Sequence, residues 1–337
     1  MDDQNKNLIL ATALSFMVIL VWLFLFPPPK PQPPADAEIT AVDPSAVAPS
    51  ATTPSTGAPV PGAPETQPAE AELATAARVA IDTPRVTGSI STLGGRIDDL
   101  SLKGYHETID DNSPIVKVLQ PAGTDVAYYA LYGWAPGAGL AVEDVPGPRT
   151  EWRLEQGETL TVDTPVTLAW DNGKGLTFRR TLAIDSNYMF TVTQSVTNTS
   201  GGTVSAAPYG VIARHGEPKN TKKFFILHEG VVRMSDGTLE ESDYKDIADY
   251  PVLPAEGARA EVQQVNENGW IGFTDHFWMA TLIPSPGSAF KSVIKYDERR
   301  DIYQTEAVLP TQTIADGASA SVTTQLFAGA KEWETIR

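Results

Sequence analysis

The residues able to do chemistry are few and scattered. Four histidines occur, at 106, 215, 228 and 276. None makes the HxH, HxxxH or HExxH spacing that would put two imidazoles on one metal ion. There is no cysteine, so thiolate metal sites, cysteine nucleophiles and disulfides are excluded. No GxSxG, phosphate-loop or dinucleotide glycine pattern is present. Two constellations stand out. In RHGEPKN, His215 neighbours Glu217, and such a pair could do acid–base work or serve as a loop ion pair. Tyr128, Tyr129, Tyr132 and Trp134 form an aromatic cluster that could stack on a sugar or fill a sheet core. Tyr128, Tyr132, Trp134, His215 and Glu217 are therefore the candidate sugar or peptide cleft. Asp275-His276 lies between Phe273 and the Phe277-Trp278 pair, where a histidine packed beside aromatic rings is the expectation. No metal site, cofactor site or catalytic group is assigned.

The elements that must position these residues are strands. YMFTVTQSVT, 188–197, puts Tyr188, Phe190, Val192, Gln194 and Val196 on one face and polar residues on the other. LTFRRTLAI, 176–184, alternates in the same way, with IDSN as the turn between the two. TLAW-DNGKG-LTF reads as a hairpin, because Asn-Gly and Gly supply positive φ. Similar strands are expected at 86–92, 96–103, 115–119, 126–132, 151–154, 159–163, 203–213, 224–234, 261–265, 270–283, 290–296, 302–309 and 319–327. Gly94-Gly95 reads as a tight turn. The expectation is an all-β domain over 78–327, a two-sheet antiparallel sandwich. Near the end, Leu326, Ala330, Trp333 and Ile336 are spaced as one helical face, so 328–337 reads as the start of a helix with that face as its contact surface.

Ahead of the strands the composition changes twice. Residues 8–26 are uncharged, and 13 of the 19 are Leu, Ile, Val or Phe. As a helix they span about 28 Å, roughly one hydrocarbon core. Trp22 sits where an indole favours the membrane interface. Pro27 to Pro29 stop the helix. The head MDDQNKN is not the basic start of a secretory signal, and the apolar run is long for one. The segment reads as a retained anchor, with residues 1–7 as a short head. Residues 27–77, with 13 prolines between 27 and 68, read as a disordered tether. Net charge is −17. A surface that negative is unsuited to neutralising phosphates, so no nucleic-acid partner is expected.

Four stretches, in this order, resemble the YidC family of membrane protein insertases: MDDQNKNLILATALSFMVILVW, STLGGRIDDLSLKGY, NGWIGFTDHFWMATLIP and LFAGAKEWETIR. The resemblance implies an inner-membrane anchor with a cytoplasmic N-terminus. It implies a periplasmic β-supersandwich similar to galactose mutarotases, and a terminal helix leading into a core of further membrane helices. Insertion in that family needs no covalent chemistry and no cofactor. Its implied partners are the lipid bilayer, nascent membrane proteins and Sec translocon components. A membrane-anchored carbohydrate-binding or mutarotase-like protein is the alternative reading.

Overall fold

The computed structural model describes residues 73, 75–110, 112–218 and 228–332, all within the compact unit Ser55–Arg337. The expected anchor with Trp22, most of the tether, Trp333 and Ile336 lie outside the described residues. Within them the chain folds as two packed β-sheets. In spatial order the larger sheet runs Val252–Leu253, Ala258–Val265, Phe290–Asp297, Ile302–Val308, Val204–His215, Tyr128–Pro136, Arg96–His106, Val86–Ser91, Arg78–Asp82 and Thr159–Leu160. Ile115–Leu119 and Gln312–Ile314 pair at its side. The smaller sheet runs Thr238–Ser242, Gly230–Ser235, Gly269–Thr274, Trp278–Pro284, Ser319–Ala330, Met189–Asn198, Leu176–Ile184, Val166–Asp171 and Arg153–Gln156. Pairing is antiparallel except where Arg78–Asp82 meets Thr159–Leu160. The expected antiparallel sandwich is thus observed, with one parallel contact at an edge.

Alternation in the sequence becomes alternation in burial. Along Leu176–Ile184 every second side chain is buried, and Met189–Asn198 continues the pattern out of phase. Phe178, Leu182, Phe190 and Val192 thereby enter the space between the sheets, where Trp134, Tyr132 and Phe273 meet them from other strands. Each such side chain contributes about 1.5–3 kcal/mol by leaving water. The hairpin at 171–175 forms because Asp171 and Asn172 accept the Gly173 and Lys174 amides at 2.7 and 2.8 Å, while Gly175 takes a φ of 90°.

Three expectations are corrected. The stretch 270–283 is two strands, because Asp275-His276-Phe277 turns the chain between Thr274 and Trp278. The last strand continues to Ala330, so Leu326 and Ala330 lie on a strand rather than on a helical face. Spacing by four suits both periods, and pairing with Met189–Asn198 and Trp278–Pro284 decides for the strand. The fold also begins before Arg78: Leu73 packs on an apolar cluster of Tyr129, Leu131, Tyr209 and Val211, on the face of the large sheet turned away from the sandwich core.

A fully buried arginine ties the two sheets. Arg180, on Leu176–Ile184, donates to the carbonyls of Gly94 and Gly95 at 3.2 and 2.9 Å and to that of Tyr132 across the core. Its guanidinium lies 4.5 Å from the Trp152 ring. Burial lowers its pKa to about 10, but it stays charged at neutral pH. Gly95 is required here: its φ is +61°, and a Cβ would come within 2.4 Å of the guanidinium. Arg180→Met should therefore cost about 3–5 kcal/mol, because it strands three buried carbonyls. Urea unfolding of the wild-type and variant chains measures this; a loss below about 1 kcal/mol would show that apolar packing alone holds the sheets.

Candidate functional site

The proposed cleft residues do not converge. Tyr128, Tyr132 and Trp134 share one face of Tyr128–Pro136, but that face is the interior of the sandwich, and each is at most 5% exposed. Tyr128 packs edge-on to Phe273 and under the Arg214 guanidinium. Tyr132 and Trp134 lie among the apolar residues between the sheets. They form core, not a stacking platform. His215 points to the opposite face, 6.0 Å from the Tyr129 ring. It lines a cavity of about 470 Å³ with Leu73, Asp125, Tyr129, Arg300 and Asp301. Glu217 is exposed and is not part of that lining. Two residues apart on a chain leaving its strand, the two side chains are not held as an acid–base pair. The ordinary value of the His215 imidazole is lowered, first by burial and then by the nearby Arg300 charge.

The more constructed site is where the last described residues leave the sheet, and local sequence patterning does not reveal it. Both carboxylate oxygens of Glu332 accept from Arg85 Nη2 at 2.6 Å, and one of them also accepts from the Tyr105 hydroxyl at 2.6 Å and the Tyr188 hydroxyl at 3.1 Å. These partners come from three separate parts of the chain. Burial works to raise the carboxyl pKa, and the hydrogen bonds from Tyr105 and Arg85 outweigh it, so the net shift is downward. Tyr188 is held in an unusual conformation to take part, with φ 71°. Such a backbone costs about 1–3 kcal/mol and persists only where its surroundings fix it. They do so here. Gly329 leaves room for the ring, since a Cβ there would lie 2.3 Å from it. Ala328 donates its amide to the Tyr188 carbonyl, and Arg85 stacks 4.6 Å over the ring. Alongside, the Lys331 amide donates to the Phe277 carbonyl and its ammonium to the Thr274 hydroxyl. Trp278 packs against Tyr105 at 5.1 Å. The result is a polar clamp around the residues just past the central strand of the smaller sheet. The one sequence signal for it was the Gly-Ala-Lys-Glu run after an apolar strand, which fixes no partner.

These shifts have measurable consequences. Glu332→Ala should change global stability by only about 1 kcal/mol, since the clamp is partly exposed. It should nevertheless speed hydrogen exchange at the Ala328 and Lys331 amides several-fold, as measured by mass spectrometry. In the wild type the same loosening should appear at acid pH, because a carboxylate with a depressed pKa stabilises above its unfolded value and is lost below its folded one. His215 acts over a higher window. The unfolded imidazole takes up a proton near its ordinary value while the folded one resists, so stability should fall as pH drops through about 6.5. His215→Asn should flatten that part of the profile of melting temperature against pH; an unchanged slope would assign it to other groups.

Comparison with known proteins gives these features a family. Residues 78–337 match the family described as the YidC periplasmic domain. Over 342 residues the chain is 62% identical to the membrane protein insertase YidC of Ruegeria pomeroyi, covering all of this chain and 56% of that protein. It is 59% identical over 339 residues to the corresponding protein of Dinoroseobacter shibae, again covering 56% of it. The chain thus spans about half the length of the curated relatives it matches. Among solved structures, a galactose mutarotase related enzyme from Lactobacillus acidophilus matches with TM-score 0.50 at 10% identity, over 75% of this chain and 97% of that one. That likeness is one of fold alone, and it agrees with the two-sheet architecture. With a matching periplasmic domain and identities near 60% along its whole length, the chain belongs to the YidC family of membrane protein insertases.

Proposed function

We propose that this chain is the anchor and periplasmic domain of an inner-membrane insertase, and that the sandwich acts as a rigid mount for the membrane machinery. The observation that carries this reading is the whole-chain identity to insertases nearly twice as long. The clamp supports it. Glu332, Arg85, Tyr105 and Tyr188 fix the direction in which the polypeptide leaves the sheet, a device suited to transmitting position to a C-terminal neighbour. Residues 8–26 hold the N-terminal side in the bilayer with residues 1–7 in the cytoplasm, and the tether allows movement. In this reading the domain contacts nascent membrane proteins and Sec translocon components, and it works without covalent chemistry or a cofactor.

A coupling role predicts an asymmetry between two substitutions in the full-length protein. Trp333→Asp should impair insertion of a membrane-protein substrate into inverted vesicles by about tenfold, the effect of roughly 1.4 kcal/mol on a coupling equilibrium. His215→Ala should leave it within about twofold, because none of the clamp residues lines its cavity. Equal and negligible effects would remove the exit segment as a coupling element.

A further inference from the structure

Around the clamp lies a surface whose composition the fold does not explain. Phe277 is 61% exposed and Ile109 is fully exposed. Scattered exposed apolar residues are ordinary. These two belong to segments that meet through the Tyr105 and Trp278 rings. Ile109 lies four residues beyond Tyr105 in the loop after Arg96–His106, and Phe277 adjoins Trp278. The Tyr105 and Trp278 rings touch, both half-buried, and Tyr105 bonds Glu332. Arg85 and Lys331 supply cations at the same spot. The Phe277 turn is braced. Asp275 pairs with Arg214 at 2.7 Å, its amide donates to the Trp278 carbonyl at 2.8 Å, and Lys331 holds the Phe277 carbonyl. An apolar ring on a rigid turn stays presented to its surroundings because the turn cannot fold it away.

Exposed apolar side chains at the tip, half-buried Tyr and Trp behind them, and Arg and Lys beside them make up the residue set of a membrane–water interface. The charge nearby narrows the choice. Glu107 and Asp110 flank Ile109 and are exposed, so a strongly anionic surface would repel it. We infer that this end of the domain is a shallow lipid-contact surface, with Ile109 and Phe277 entering the headgroup–acyl boundary of a zwitterionic bilayer and Tyr105 and Trp278 at headgroup level. The inference rests on the reading of 8–26 as a membrane anchor: two side chains alone bind a bilayer weakly, and a tethered domain meets it at high effective concentration.

The lack of cysteine makes the test direct. Chain 1–337 carrying Thr108→Cys is labelled with an environment-sensitive fluorophore and reconstituted into phosphatidylcholine vesicles, with and without nitroxide lipids of shallow depth. Thr108 is exposed beside Ile109, so the label is placed without replacing either apolar side chain. Ser200→Cys is the control. It lies past the far end of the ten-residue strand Met189–Asn198, whose near end adjoins the clamp, about 30 Å away at ~3.3 Å per residue. The expected result is a blue shift and quenching at 108 at least about twofold above that at 200, lost when Ile109→Ser and Phe277→Ser are combined. Vesicles rich in anionic lipid should quench less. If the chain floats with the vesicles but the two labels quench alike, the lipid-contact surface is overturned and the anchor stands. If the chain does not float, the anchor reading fails and the inference with it. A blue shift that tracks protein density, without quenching, would assign the surface to a second copy instead. Stronger quenching with anionic lipid would overturn the zwitterionic assignment.

Discussion

The arrangement depends on a charge kept inside an apolar sandwich. Area burial can press two sheets together, but it is non-directional and sets their relative placement only loosely. Arg180 supplies direction. It reaches from one sheet to carbonyls of the Gly94–Gly95 turn and of Tyr132 in the other. Its neighbours do similar work more weakly: Gln194 donates to the Tyr209 carbonyl, and Asn198 donates to the Ile314 carbonyl. Arg96, also fully buried, satisfies the carbonyls of Leu93 and Pro148 and so closes the same corner. With the placement fixed, the tyrosines of the two sheets come within reach of one carboxylate at the exit.

Much of this fold is legible because alternation is a property of single strands. Ile115–Leu119 and Leu176–Ile184 fall where the pattern places them. Several elements that escape the pattern share a cause, although Arg78–Asp82, which alternates cleanly, is not one of them. A two-residue or highly charged strand such as Val252–Leu253 or Thr238–Ser242 lacks a period to detect, and its neighbour's ladder defines it. The turn at Asp275-His276-Phe277 lacks glycine and proline and keeps an apolar residue at its tip, so it resembles strand. Its stability comes from Arg214, 61 residues away.

The site is less legible, for a related reason. Tyr128, Tyr132 and Trp134 are separated by even numbers, and even spacing on a strand already puts them on one face. Which face is decided by Phe178 and Phe273, from other strands. His215, an odd number of residues from Arg214 on the same strand, necessarily looks the other way. The Glu332 clamp joins residues 144 to 247 positions apart, and local pattern carries no information at that range. Gly329 is the nearest clue, since a glycine within a strand often marks close approach of another group.

The two ends of the domain differ in how firmly they are held. Arg78–Asp82 lies near an edge of its sheet, backed on one side by a two-residue strand. Ser319–Ala330 lies at the middle of its sheet, paired over nine residues on one side and seven on the other. A load applied along the chain after Ala330 would have to shear both ladders together, and the Glu332 clamp keeps that load aligned with them. A load applied before Arg78 meets far less resistance. The fold is therefore stiff on its C-terminal side and compliant on its N-terminal side. That mechanical polarity follows from the ladders, which pair five and two residues at Arg78–Asp82 but nine and seven at Ser319–Ala330.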